Sequence, residues 1–164
     1  MIRNPDIDSL EASKSRTDWM RWLSRAPASM LTGALNGHIP DEPLWLRKPE
    51  TGLMMVKGRI GGNGESFNLG EITVTRCAIK IKDSQLNERV GIAYVLGRSK
   101  RLAFLASVGD ALLQDPSQQN YWLEKLIKPI KHHILLINDQ KNKKAQETKV
   151  DFFTVAREAG SQNS

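Results

Sequence analysis

Residues 59–76 read RIGGNGESFNLGEITVTR, a glycine-rich stretch bounded by arginines at both ends. Two physical readings compete for it. A phosphate-binding loop needs glycines at set intervals before a helix, whose first amides then face the anion. Here neither the G-x-x-x-x-G-K nor the G-x-G-x-x-G spacing occurs, and the apolar alternation that follows is that of a strand. Gly61, Gly62, Gly64 and Gly70 therefore serve most simply as residues that permit a wide hairpin turn.

A hairpin fixes the fold class. Before the turn, Met54, Val56, Gly58 and Ile60 alternate with Met55, Lys57 and Arg59, the pattern of a half-buried strand. After it, Thr75, Cys77, Ile79 and Ile81 share one face, while Ile72 and Val74 fall on the other with Arg76. A bulge near Thr75 would reconcile the switch. A third strand places Val90, Ile92, Tyr94 and Leu96 on one side. Links this short exclude parallel crossovers, so the three strands form an antiparallel meander.

Helical periodicity flanks the meander. Thr17 can cap a helix carrying Trp19, Trp22 and Leu23. Pro27 opens a second, which Asn36-Gly37 stops, giving an N-terminal helical hairpin. Ser99 caps a helix with an apolar stripe that includes Leu102, Leu105 and Leu112. Ser117 caps another, in which Pro129 should produce a bend. The class expected is α+β: an antiparallel sheet packed against helices, in a single domain spanning 1–164. Within it, 1–15 are expected to be flexible, 138–149 to form a basic polar connector, and 150–157 to be a docked C-terminal segment.

The chain has 24 Lys and Arg against 18 Asp and Glu, a net charge of +6, which favours acidic partners. Seven lysines lie between Glu124 and Lys149 against three acids, as on a solvated helix face. No apolar run is long enough to span a bilayer, and the first sixteen residues lack the apolar core of a secretory signal. One cysteine, Cys77, excludes an internal disulfide and makes a thiolate metal site improbable. These features suit a reducing cytoplasm. His132 and His133 are adjacent on a helix and point apart, so no metal is expected.

Arg59 and Arg76 sit on strands joined by the glycine-rich loop and are expected to meet at one end of the sheet, with Glu65, Asn68 and Glu71 beside them. Arg98 could join that end. A guanidinium fork suits carboxylate or phosphate, and glutamates can orient it. Three readings stay open: a structural ion pair bracing the loop, an anion site, and a contact with another subunit.

The strings ETGL (50–53), RIGGNGESFNLGEITVTR (59–76), GRSK (97–100) and VDFFT (150–154) resemble the PhnG family, small subunits of the bacterial carbon–phosphorus lyase system. The resemblance covers about residues 17 to 157. It implies a subunit of a core complex with other proteins of phosphonate breakdown. Such a complex displaces adenine from ATP with methylphosphonate, yielding α-D-ribose 1-methylphosphonate 5-triphosphate. On this basis the chain binds no cofactor of its own, and ATP and methylphosphonate are substrates of the complex. No catalytic residue is assigned. Arg59, Gly62, Gly64, Glu65, Asn68, Glu71, Thr75, Arg76 and Arg98 are candidates for binding substrate or partner, and Phe152 and Phe153 for apolar anchors. Two rival classes are a small nucleic-acid-binding module, disfavoured because no stacking motif accompanies the lysines, and a stand-alone nucleotide-processing enzyme.

Overall fold

The computed structural model describes residues 15–82 and 86–147. The expected C-terminal docking segment, with Phe152 and Phe153, lies outside them, as do residues 1–14 of the N-terminal tail. Two short helices come first, α1 (Arg16–Leu23) and α2 (Ala28–Ala34). Three strands follow, β1 (Leu44–Arg59), β2 (Ser66–Lys82) and β3 (Glu88–Leu96). The chain then runs through α3 (Lys100–Leu113), α4 (Gln119–Trp122), a π-helical turn (Leu123–Ile127) and α5 (Lys128–Glu147). The strands form an antiparallel sheet in the order β1-β2-β3, so the α+β meander is the architecture observed.

Local chemistry places the helix ends. Ser15, rather than Thr17, caps α1 by accepting from the Asp18 amide. Gly37, at φ +79°, ends the second helical segment in the left-handed conformation expected of Asn36-Gly37. Ser99 accepts from the Leu102 amide at the start of α3. At Pro129 the missing amide is absorbed by the π-helical turn just before it, where the Lys128 amide reaches back five residues to Leu123. Residues 138–147, expected as a connector, continue α5.

All helical packing falls on one face of the sheet. Cys77 and Ile79 of β2 and Ala93 and Val95 of β3 are buried with Trp19, Trp22, Leu23, Leu105, Trp122 and Leu126 in one core. On β3 the core-facing residues are small, and the larger set read as its apolar side points away: Ile92, Tyr94 and Leu96 are exposed. The reason lies at Gly91. A Cβ there would come within 1.9 Å of the Ser107 carbonyl, so α3 lies directly on the β3 backbone.

The bulge expected near Thr75 is absent, since Thr75 pairs in register with both Thr51 and Val95. The register shifts fall elsewhere, at Leu46 and at Lys48–Pro49 in β1 and near Leu69 in β2. The apolar residues of β2 change face because β3 pairs only with Val74–Lys82. Beyond that point β1 and β2 continue as a two-stranded ribbon clear of the helices, so Met54 and Ile60, expected on a half-buried face, are exposed.

Asp110 ties the layers together. Its carboxylate is fully buried on α3 and accepts from Arg16, from Trp19 Nε1 at 2.9 Å and from the Ile92 amide at 2.9 Å. Arg16 and Gln114 also donate to the Val90 carbonyl, so side chains cap this part of the outer edge of β3. Asp110→Ala should cost about 3 kcal/mol, because it strands the Trp19 and Ile92 donors and opens a buried ion pair. Gly91→Ala should cost about as much by forcing α3 off the strand. Urea unfolding of both variants checks these values.

Candidate functional site

The structure separates the residues that the sequence groups together. Arg76 pairs opposite Glu50, whereas Arg59 pairs opposite Ser66 at the far end of the ribbon. Nine residue steps along β1 separate them, about 30 Å at strand rise. The expectation that both arginines stand at one end of the sheet is therefore corrected. The cause is strand length: the turn sits at the tip of a long ribbon rather than at the border of the core.

Arg59 braces that tip by donating to the Gly64 carbonyl at 3.2 Å. Gly62 adopts φ +83°, and a Cβ on Gly64 would come within 2.6 Å of the Ile60 carbonyl, so both positions need glycine. Glu65, Asn68 and Glu71 are exposed along the ribbon and hydrogen-bond to neither arginine, so the orienting role expected of them is also corrected.

Glu50 takes that role instead. It accepts from Arg76 Nε at 2.6 Å and from Arg47 Nη1, on the sheet face away from the helices. These hydrogen bonds, Arg47 first and Arg76 second, hold its carboxyl below the usual carboxylate range. Two guanidinium groups share one carboxylate, so the trio carries one net positive charge. Tyr94 lies directly opposite Arg76, and Ile92 and Leu96 flank Tyr94 on the same face. The result is an apolar strip with a cationic centre, open to solvent.

Thr75 points to the opposite face. It is fully buried, shares a 3.0 Å hydrogen bond with Thr51 and donates to the Gly97 carbonyl at 2.7 Å. That bond fixes the turn from which Arg98 projects. Thr75, Arg76 and Arg98 thus belong to the sheet body, and Arg59, Gly62, Gly64, Glu65, Asn68 and Glu71 to the ribbon. The pair Arg47 and Glu50 went unread because Glu50 meets Arg76 across 26 residues. Its signal in the sequence is the ETGL string.

Other groups fall to structural roles. Cys77 is buried, and burial pushes its thiol pKa up although Ser107 donates to the sulfur. On α5, Lys128 pairs with Glu124 and Lys143 with Asp139. Lys125 lies over Tyr121 and Trp122, and Lys131 over Trp22, which suits a solvated helix face. A cleft of about 400 Å³ between the β1 entry and the β2–β3 turn includes His38, Lys80, Lys82 and Glu88, and no predicted site residue lines it. Among the described residues no helix is long and apolar enough to cross a membrane.

Comparison with known proteins finds both a family and an individual relative. The profile of a family described as phosphonate metabolism protein PhnG matches residues 14–158. A protein of Rhizobium meliloti (strain 1021), named alpha-D-ribose 1-methylphosphonate 5-triphosphate synthase subunit PhnG, is 38% identical over 144 residues, covering 87% of this chain and 88% of its own length.

Two outcomes follow from this geometry. Arg76→Ala or Glu50→Gln should leave the unfolding temperature of the isolated chain essentially unchanged, as expected for exposed pairs. Differential scanning calorimetry checks this. The Cys77 thiol should stay unreactive to iodoacetamide near neutral pH and become reactive on denaturation, as followed by mass spectrometry.

Proposed function

Because the chain belongs to the PhnG family of phosphonate metabolism proteins, we propose that it serves as a subunit of a carbon–phosphorus lyase core complex. In that complex it supports formation of α-D-ribose 1-methylphosphonate 5-triphosphate, with a phosphonate oxygen replacing adenine on the ribose of ATP. ATP and methylphosphonate are substrates of the assembly, and this chain holds no cofactor. The observation that carries the reading is the uncovered sheet face. An antiparallel sheet can leave one face to water, but that face is then polar. Here it presents Ile92, Tyr94 and Leu96 around two arginines that share one carboxylate.

That surface suits a protein partner. Aromatic and arginine side chains dominate interface energetics, and a partner carboxylate set between Arg47 and Arg76 would balance the trio. Arg98, exposed on the turn that Thr75 fixes, is a further candidate for contact with a partner. The same guanidinium groups could meet the triphosphate of ATP at a subunit boundary, the second form of the proposal. Phe152 and Phe153 remain candidate anchors of the C-terminal segment.

Affinity purification of the tagged chain from phosphate-starved cells should recover companion subunits of phosphonate breakdown. The purified chain alone should release no adenine from ATP and methylphosphonate. Companions should restore turnover, measured by adenine release. Arg47→Ala/Arg76→Ala should weaken companion binding at least tenfold while leaving the fold intact. Adenine release by the isolated chain, or deletion of its coding region without loss of growth on methylphosphonate, would overturn the proposal.

A further inference from the structure

Beyond Val74 the β1–β2 ribbon stands free of the third strand and of the helix layer. A lone two-stranded ribbon is marginal in water, and apolar side chains raise its cost further. Yet Leu53, Met54, Met55, Ile60, Phe67 and Leu69 are all exposed on it, between 44% and 71%. They occupy both faces, since Leu53 and Met55 alternate with Met54.

The ribbon is nonetheless shaped before any contact. The Gly64 amide closes the tip onto Ile60 at 2.8 Å, and Arg59 clamps the Gly64 carbonyl. Across the strands the Phe67 ring lies over Gly58, where an added Cβ would come within 3.2 Å of it. Such a cross-strand aromatic stiffens a ribbon where glycine alone would loosen it.

We infer that residues 53–73 form a docking arm that inserts into a two-walled apolar slot of a companion protein subunit. The inference rests on membership of a complex but concerns a surface separate from the arginine pair. Several observations choose this occupant. Apolar residues on both faces need two walls, whereas laying the arm on a flat surface would cover only one. Twenty-one residues match the roughly 20–30 that one side of a standard interface takes. The arm is electrically balanced, with Lys57 and Arg59 against Glu65 and Glu71, so an uncharged slot receives it without stranding a charge. A second copy is disfavoured because it would set one +6 body against another.

The test uses the full chain co-expressed with its companions. In one variant residues 56–70 are replaced by Asn-Gly, which closes a two-residue turn on the Met55–Glu71 pair and leaves the core contacts in place. A second, Leu53→Ser/Phe67→Ser/Leu69→Ser, keeps the arm's length. Both should fold as the parent by circular dichroism and lose companion binding at least tenfold. Amides of the arm should exchange at least tenfold more slowly in the assembled complex than in the free chain. If both variants bind companions as the parent does, or arm exchange is unchanged on assembly, the arm inference falls and complex membership stands. A parent chain that forms dimers lost in both variants would show a second copy as the occupant and overturn it. A parent chain that recovers no companion would overturn both readings.

Discussion

A single carboxylate without access to water holds the body of this protein together. Asp110 gathers an arginine and an indole from α1 and a backbone amide from β3 onto α3. A buried charge is tolerated only when every lone pair finds a donor, so the position of one element dictates those of the others. The same contacts occupy backbone groups on the outer edge of β3 that would otherwise be open. Gly91 is the steric half of this arrangement, because helix and strand can share Asp110 only while they touch backbone to backbone.

Burying one face so closely has a counterpart on the other. β3 spends its small residues inward and its large ones outward, so the sheet shows solvent an apolar strip with Arg76 paired at its centre. The ribbon carries the same tendency beyond the core. A chain of this size that leaves so many large side chains uncovered is built for company. The relation to a named synthase subunit gives that physical conclusion a biochemical setting.

Much of this was legible in the residues. The failed phosphate-loop spacing argued for a hairpin, and the hairpin for an antiparallel meander. Ser99 and Asn36-Gly37 act as the local rules require. What could not be read was set by distance along the chain. Nothing local tells how far a ribbon runs past its third strand, so Arg59 and Arg76 looked like neighbours. Glu50 was overlooked because its partner lies 26 residues away, and Asp110 because an acid inside FLASVGDALL looks like an interruption of a stripe rather than its anchor. On β3 the alternation was right in period and wrong in direction, since only the approach of α3 to Gly91 decides which face is inside.

The bulges of β1 bear on the life of the chain before assembly. Its outer edge is long and unpaired among the described residues, the kind of template on which strands of other molecules can add and propagate into fibrils. Pro49 supplies no amide, and the shifts at Leu46 and Lys48–Pro49 break the hydrogen-bonding frame near its start. A newly made chain waiting for its neighbours is thus given an edge whose first six residues, 44–49, offer polymerisation no regular lattice to follow.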